Sequence, residues 1–345
     1  MNAPDHHIPK GPRLTSLSHG GGSDCKIAKE VLTEILKNTN KLPIPPELLI
    51  GIDTADDAAV YQLSDDIALI ATTAFFMPIV DDPYEFGRIA ATNAISDVYA
   101  TGGKPFNVLS TEVIGKVLEG GESVCREAGI PIAGGHTIDS VEAIDGLVAL
   151  GVVHPKKIKR NSDAKVGDRL ILGKPLGVGV LSAALEKEQL SGAGYRQMIA
   201  VTTKLNTPDP DLTAMDGVHA LTDVTGFGLA GHALELARGA KAGVAIDWAK
   251  VPLLDGVRAL VEQGMVTGAS GRNWEGYAKD IDLPADFLPH DQALLSNPRT
   301  SGGLLVSCDA ASVDDVLAVF KQHGFGAAAE IGEIVQGDAA RLRIH

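Results

Sequence analysis

Acidic side chains stand where a carboxylate could bind a metal ion. Asp56 and Asp57 come directly before an apolar segment typical of a β-strand, although a solvated turn is an alternative for this pair. Asp97 lies within residues 84–101, whose apolar spacing predicts a helix, and Asn93 lies one turn earlier on the same face. A buried carboxylate on an apolar helix must be paired or metal-bound, so a structural role and a ligand role are both open for Asp97.

Two glycine-rich segments could approach phosphate groups. Residues 19–26 read HGGGSDCK, so backbone N–H groups and Lys26 could contact a phosphate. No glycine directly precedes Lys26, which excludes a Walker A loop, and spacing alone favours a flexible N-terminal cap. Residues 226–231 read GFGLAG between a predicted strand and helix, as in dinucleotide-binding proteins. Asp223 would repel a pyrophosphate there unless a cation intervened, which favours a metal–phosphate complex over bare NAD.

Charge and composition narrow the class of ligand. The 345-residue chain carries 30 Lys and Arg against 44 Asp and Glu, and this net charge of −14 argues against a nucleic-acid-binding surface. Carboxylates beside glycine turns and one lysine suit Mg²⁺, which binds one or two carboxylates together with substrate phosphates. The residues alone therefore predict a magnesium–nucleotide enzyme.

The sequence predicts a cytoplasmic protein without a membrane segment. Its three cysteines are widely spaced, no apolar run approaches roughly 18 residues, and no signal peptide is recognised.

The elements that must position these residues alternate between strands and helices. The chain has 39 glycines and only 4% aromatic residues, so aliphatic side chains must fill its cores. This pattern predicts an α/β or α+β fold, and the length predicts two domains. Residues 111–128 are predicted as a helix, and residues 134–137 as a turn. We expect a mobile tail and glycine-rich lid over 1–26, an N-terminal ATP-binding and dimerisation domain over 27–155, and a C-terminal α/β domain over 156–345.

Several motifs in a fixed order carry a resemblance to a known family. They are HGGGSDCK at 19–26, DDAAV at 56–60, FFMPIV at 75–80, residues 87–97, residues 134–139, residues 221–232 and TSGG at 300–303. Together they resemble the motifs of selenophosphate synthetase, or selenide, water dikinase. The ordered set covers nearly the whole chain and is far more specific than any single motif.

The resemblance implies a fold, an assembly and a reaction. The fold would be the two-domain fold of aminoimidazole ribonucleotide synthetase, in a homodimer whose N-terminal domains pair strands across the interface. The reaction would make selenophosphate from ATP, selenide and water, with release of AMP and phosphate. ATP would lie between the subunits, with its phosphates bound to Mg²⁺ ions.

The resemblance also implies roles for individual residues. Asp57, Asp97 and Asp223 would be metal ligands, and Asp97 would also lie at the nucleotide. Thr54, Ala55 and Asp56 would line the ATP site, together with Gly135, His136 and Thr137 of the partner subunit. Lys26, on the lid, would neutralise charge that develops on the transferred phosphate, and with Ser23 it forms the candidate catalytic pair.

The sequence departs from the family pattern at several positions. Ser23 stands where the family usually has cysteine or selenocysteine, and a hydroxyl is a much weaker nucleophile than a thiolate. Cys25 matches the second cysteine of the usual pair. Ala74 replaces an aspartate that approaches ATP, and Asn297 replaces an aspartate before Pro-x-Thr-Ser-Gly-Gly. The apolar segment 106–109, after GGKP, is shorter than the family's and short for a strand plus a turn.

These departures support a second hypothesis, a catalytically weak or inactive homodimer of the same fold that binds nucleotide. A third hypothesis is ligase activity like that of aminoimidazole ribonucleotide synthetase, because the fold would be shared. The lid and the FFMP segment at 75–78 favour the first hypothesis over this one.

Overall fold

Two mixed β-sheets organise the residues that the computed structural model describes, which are 13–17, 44–51, 56–111, 115–136, 144–337 and 340–345. The strands are β1 (Leu48–Ile50), β2 (Ala59–Gln62), β3 (Ala68–Phe76), β4 (Lys104–Thr111), β5 (Ile132–His136), β6 (Asp145–Val153), β7 (Arg169–Leu172), β8 (Val218–Asp223), β9 (Gly243–Ile246), β10 (Ile281–Asp282), β11 (Leu304–Cys308), β12 (Ala329–Val335) and β13 (Leu342–Ile344). The helices are α1 (Pro83–Ala100), α2 (Gly115–Glu127), α3 (Val178–Glu186), α4 (Gly192–Thr202), α5 (Asp209–Ala214), α6 (Gly228–Ala240), α7 (Val257–Glu262), α8 (Gly268–Tyr277), α9 (Pro289–Leu295) and α10 (Val313–Gln322).

The first sheet has six strands in the order β1-β2-β3-β6-β4-β5. All neighbouring pairs are antiparallel except β4 with β5. Its inner face packs on α1, and the side chains of Ile70 and Ala149 on that face are completely buried. Because successive side chains of a strand alternate between faces, the residues between these point away from α1.

The outer face of this sheet is apolar although it is exposed. Tyr61, Phe75 and Val152 are 41%, 51% and 37% exposed. Tyr61 pairs with Leu69, and Leu69 pairs in turn with Val152, so these side chains lie side by side on three neighbouring strands. The free face of an antiparallel sheet is normally polar, and contiguous exposed apolar surface marks an interaction site. We call Tyr61, Leu69, Phe75 and Val152 the outer apolar face.

The second sheet has seven strands in the order β10-β13-β9-β12-β7-β11-β8 and is covered on both faces. Leu170 and Leu305 point to the side of α6, where they share a core with Leu234. Ile171 points to the opposite side, where it shares a core with Phe320 of α10. The central strands β7 and β11 are therefore buried on both faces, which explains why their sequences are mostly hydrophobic.

One apolar core extends across the boundary predicted between residues 155 and 156. Phe86 and Ile89 of α1 belong to the same buried cluster as Leu181 of α3, Met198 of α4 and Val257 of α7. The helices of the second part therefore pack directly on the principal helix of the first. The predicted boundary divides the chain in sequence, but the two parts share a core.

The segment after GGKP corrects the expectation that it is too short for a strand. It forms the eight-residue strand β4, which begins at Lys104 and pairs with β6 from Val152 onward. The predicted helix over 111–128 was wrong at its start, because Thr111 ends this strand and α2 begins at Gly115. Main-chain pairing with β6 extends the strand beyond the apolar residues that the sequence pattern indicated.

The predicted turn at 134–137 was wrong for its described residues. Gly134, Gly135 and His136 continue β5, which runs parallel to β4 at the edge of the sheet. Glycine has a low preference for strands, but hydrogen bonding to a neighbouring strand outweighs that local preference.

Part of the N-terminal segment predicted to be mobile is anchored. Residues 13–17 form a short 3-10 turn in which Leu14 is buried. Arg13 forms ion pairs with Asp81 at 2.8 Å and with Glu188 at 2.6 Å, and Thr15 donates two hydrogen bonds to Asp81. The pKa of Asp81 is lowered because the hydrogen bonds from Thr15 and Arg13 outweigh the opposing effect of burial. This anchor fixes the chain shortly before the glycine-rich segment at 19–26.

Two glycines allow α1 and α2 to cross at close range. A Cβ atom on Gly87 would lie 1.8 Å from the backbone oxygen of Val117, and one on Gly120 would lie 1.9 Å from that of Tyr84. Neither backbone oxygen can move without displacing its helix. By contrast, a Cβ on Gly121 would meet no atom closer than 3.6 Å, which is ordinary van der Waals contact.

We therefore predict opposite effects of alanine at two adjacent positions. Gly120→Ala should lower the free energy of unfolding by about 2 kcal/mol, because it forces two packed helices apart. Gly121→Ala should leave it unchanged or raise it slightly, since alanine favours helix over glycine by about 1 kcal/mol. Chemical denaturation monitored by circular dichroism measures both. Equal stability of the two variants would contradict the close helix crossing.

Candidate active site

Helix α1 presents three polar side chains on one face. It begins where predicted, because the Asp82 carboxylate accepts a hydrogen bond from the backbone N–H of Glu85 at 3.0 Å and caps the helix. Asn93, Ser96 and Asp97 lie three and four residues apart and so share one side of the helix. Asn93 and Ser96 are buried and Asp97 is partly buried. Buried polar groups require hydrogen-bond partners, and each of these three finds one outside α1.

Asp97 and Asn93 bind different parts of the chain. The Asp97 carboxylate accepts a hydrogen bond from Thr72 Oγ1 of β3 at 2.6 Å. Asn93 Oδ1 accepts one from the backbone N–H of Ser301 at 2.9 Å, and the Ser301 hydroxyl donates to the backbone oxygen of Ile89 at 3.2 Å. α1 thus holds the strand on one side and the TSGG turn at 300–303 on the other.

Asp223 ends strand β8 and is completely buried. Its Oδ2 accepts a hydrogen bond from the hydroxyl of Ser96, so the end of β8 is tied to α1. Asn206 donates from Nδ2 to the same hydroxyl at 2.8 Å and to the backbone oxygen of Gly302 at 3.0 Å. The third predicted metal ligand is therefore held by a hydrogen-bonded chain that joins the end of β8, α1 and the TSGG turn.

Asp57 completes the cluster from the start of β2. Its Oδ1 accepts a hydrogen bond from Thr222 Oγ1 at 3.2 Å, which places it beside the end of β8. Burial and, after it, the negative charges of Asp223, Asp97 and Glu235 raise the pKa of Asp57 well above its usual range. Asp57 therefore lies close enough to both Asp97 and Asp223 for their negative charges to act on it.

Two buried cations lie near Asp223. Lys174 donates from Nζ to the backbone oxygens of Lys204 at 2.7 Å and Ser301 at 2.9 Å. Burial and then the charge of Arg299 lower the pKa of Lys174 to about 7, and the charge of Asp223 opposes this shift. Burial lowers the pKa of Arg299 to about 9, again against the influence of Asp223. The two cations offset part of the negative charge of the cluster through space.

The TSGG turn is packed so tightly that glycine is required. A Cβ atom on Gly302 would lie 1.6 Å from the backbone oxygen of Val224, the residue that follows Asp223. The backbone N–H of Val224 donates to the oxygen of Gly303 at 2.9 Å. The turn therefore fixes the chain immediately after the buried carboxylate.

The backbone of the GFGLAG segment at 226–231 and of the residue before it is held by contacts within the protein. Asn273 donates a hydrogen bond from Nδ2 to the backbone oxygen of Gly226 at 2.9 Å. Gly228 has a φ of +67°, and a Cβ atom at this position would collide with the backbone of Ser296. Thr225 N–H donates to Nε2 of His232 at 3.0 Å. The segment turns the chain from β8 into α6.

The donor atoms of the cluster fit a hard divalent cation. In the described part of the chain, no group of three or more His, Cys, Asp or Glu side chains is arranged so that it could hold a metal ion by itself. The mutual repulsion of Asp57, Asp97 and Asp223 nevertheless calls for positive charge. Mg²⁺ usually takes only one or two protein carboxylates and completes its coordination with substrate phosphates and water. The residues thus fit Mg²⁺ that arrives with a nucleotide better than a metal bound permanently by protein.

The other predicted site residues lie in different places. Asp56 makes a contact elsewhere: its Oδ1 accepts a hydrogen bond from the backbone N–H of Asn161 at 3.1 Å. Ala74 lies on the inner face of β3, two residues beyond Thr72 and therefore on the same side. Gly135 and His136 lie on β5, three strands from β3, or roughly 14 Å at the usual strand spacing. Outside the described residues lie Ser23, Lys26, Thr54, Ala55 and Thr137.

Sequence reasoning missed the residues that orient the carboxylates. Ser96 could have been found, because it is a second polar residue on the apolar face that already drew attention to Asp97. Thr72 and Thr222 are ordinary strand residues, and nothing in their spacing indicates a role. Asn206 and Lys174 lie in loops, and only the fold brings them to the end of β8.

Comparison with known proteins identifies the two parts of the chain. Residues 55–153 match the family described as AIR synthase related protein, N-terminal domain. Residues 165–345 match the corresponding C-terminal domain. Solved structures share the fold: the HypE–HypF complex superposes with a TM-score of 0.65 at 18% identity, covering 91% of this chain and 95% of the other. Thiamine-monophosphate kinase from Stenotrophomonas maltophilia K279a gives 0.63 at 17% identity, covering 93% and 96%.

Curated relatives are much more similar in sequence. Selenide, water dikinase of Paraburkholderia xenovorans (strain LB400) is 62% identical over 337 residues, which are 95% of each chain. Selenide, water dikinase of Rhizobium meliloti (strain 1021) is 50% identical over 343 residues, covering 96% of this chain and 98% of the relative. Together with the matches to both domains, this identity along nearly the full length shows that the chain belongs to the selenide, water dikinase family.

Proposed function

We propose that this chain makes selenophosphate from selenide, ATP and water and releases AMP and phosphate. The observation that carries the proposal is the meeting of Asp57, Asp97 and Asp223, which come from both sheets and from α1. Such a cluster has no use in a stable apo protein, since like charges in a buried site oppose folding. It is useful where a polyanionic nucleotide arrives with divalent metal. The names of the curated relatives supply the acceptor, selenide.

The three carboxylates would hold Mg²⁺ against the phosphates of ATP. Bound there, Mg²⁺ would supply positive charge that offsets the negative charge of the phosphates. The hydroxyls of Thr72, Thr222 and Ser96 each donate to one carboxylate and so fix its orientation before the nucleotide arrives. Lys26 would add positive charge from the glycine-rich segment, and Ser23 would occupy the position of the family's thiol or selenol.

We propose a homodimer formed through the outer apolar face. Tyr61, Leu69 and Val152 form an apolar patch across three neighbouring strands, and Phe75 lies further along β3 on the same face, which a monomer would expose to water. This face lies on the same sheet as β5, whose Gly135 and His136 are remote from the carboxylate cluster of their own chain. Dimerisation would allow these residues to contact ATP bound by the partner subunit.

No described helix combines the length and the hydrophobicity needed to cross a membrane. A cytoplasmic location remains our proposal from the sequence.

Catalysis should depend on positions 23 and 74. We expect selenide-dependent AMP formation from the unmodified chain, and a higher rate after Ser23→Cys because a thiolate is the stronger nucleophile and softer ligand. Ala74→Asp should strengthen nucleotide binding, because residue 74 shares the inner face of β3 with Thr72 and its carboxylate would face the metal. Chromatographic measurement of AMP with and without selenide checks both.

The same assay separates the two hypotheses for this fold. Calorimetric ATP binding without AMP, in the unmodified chain and in the Ser23→Cys, Ala74→Asp double variant, would instead establish a nucleotide-binding homodimer without turnover. AMP that forms without selenide would exclude selenide as the acceptor.

Removing a charge from the carboxylate cluster should stabilise the apo protein but weaken its binding of Mg²⁺–ATP. Asp57→Asn should raise the thermal unfolding midpoint of the apo protein at neutral pH, because it removes one of several buried like charges. It should also weaken binding of Mg²⁺–ATP measured by calorimetry. Asp65→Asn is the matched control, since it makes the same change in an exposed turn and should alter neither quantity. A variant at residue 57 that binds Mg²⁺–ATP normally would remove Asp57 from the ligand set.

Substitution of two valines, one at a time, tests the proposed interface. Val152→Lys places a charge in the outer apolar face and should convert dimer to monomer in analytical ultracentrifugation. Val166→Lys changes an even more exposed valine in a turn of the second part, and should leave the dimer intact. If both variants sediment like the unmodified chain, the outer apolar face is not the interface.

A further inference from the structure

We infer that Ser96 is a positioning residue that fixes the orientation of the Asp223 carboxylate, and that Asn206 fixes Ser96 in turn. The inference rests on the proposed function, because only there is Asp223 a metal ligand. It adds a hydrogen-bonded path, from the loop after α4 through α1 to the end of β8, that the predicted ligand set does not contain.

The donor and acceptor groups along this path determine the direction of each hydrogen bond. The Asn206 amide donates to the Gly302 backbone oxygen at 3.0 Å and to the Ser96 hydroxyl oxygen at 2.8 Å. An amide nitrogen has two hydrogens, so both are used. The Ser96 oxygen is thereby an acceptor, and its single proton is directed to Asp223 Oδ2. The Ser96 hydroxyl that donates to Asp223 is therefore itself held in place by the hydrogen bond from Asn206.

Burial makes this hydrogen bond decisive for the orientation of Asp223. The side chains of Ser96 and Asn206 are each only 1% exposed, and Asp223 is completely buried, so solvent cannot replace a lost donor. Lys174 and Arg299 act on Asp223 through charge, which depends weakly on the torsion of the carboxylate. A hydrogen bond is directional, so the hydroxyl of Ser96 selects one rotamer.

Helix α1 also provides a matched control. The hydroxyl of Thr92 is buried on the same helix but donates to the backbone oxygen of Arg88 at 2.9 Å, within its own helix. Removing that hydroxyl with Thr92→Val changes a buried polar group without touching the carboxylate cluster. Residues that orient metal ligands typically change metal affinity about 10- to 100-fold when they are removed.

The test is Mn²⁺ binding to the full-length chain, followed by electron paramagnetic resonance in the presence of a non-hydrolysable ATP analogue. We expect Ser96→Ala to weaken Mn²⁺ binding roughly 10-fold and Thr92→Val to leave it unchanged. If Ser96→Ala does not fold, as judged by thermal unfolding, Ser96→Cys keeps the side-chain size with a weak donor and carries the same expectation. Unchanged Mn²⁺ affinity in the folded Ser96 variant, or equal weakening in Thr92→Val, overturns the inference.

A double-mutant comparison separates positioning from general destabilisation. If Ser96 acts through Asp223, Ser96→Ala should cause no further loss of Mn²⁺ affinity in an Asp223→Asn background. An additional, independent loss there contradicts the inference. The single variant Asp223→Asn tests the proposed function itself: normal Mn²⁺ affinity removes Asp223 as a ligand, whereas weak binding by Asp223→Asn with normal binding by Ser96→Ala overturns the inference alone.

Discussion

The like charge of three carboxylates is the constraint on which the rest of this fold depends. Burial, and after it the negative charges of Asp223 and Asp97, raises the pKa of Asp57 well above its usual range. In the described part of the chain, a hydroxyl group donates a hydrogen bond to each of these carboxylates, and the charges of buried Lys174 and Arg299 act on Asp223. In the proposed function, Mg²⁺ and Lys26 would supply the positive charge that balances the cluster.

Helix α1 is the element that makes such a cluster possible. It is capped at its N-terminus, packed on one side against β3 and β6, and brought close to α2 by Gly87 and Gly120. These contacts fix its position, so that its polar side chains reach elements more than a hundred residues away. A helix that was free to shift by one ångström would no longer present them in register.

The sequence indicated which carboxylates could take part in chemistry, but not which residues hold them in position. Carboxylates in apolar surroundings or at strand ends made Asp57, Asp97 and Asp223 candidates, and the family resemblance then assigned them as metal ligands. Ser96, Asn206 and Thr222 are common polar residues, and their importance comes from partners that the fold brings together. The strand β4 was misjudged for the same reason, since its length is set by pairing with β6 and not by its own apolar residues.

The core shared by α1 with α3, α4 and α7 has a consequence for how the protein unfolds. Two domains with separate cores can melt one after the other, whereas these two parts bury apolar surface against each other and also share the hydrogen bonds of Asp223. Loss of either part would expose the principal helix of the site. The chain should therefore unfold as one cooperative unit, with amide hydrogens of α1 and β8 exchanging at a common slow rate.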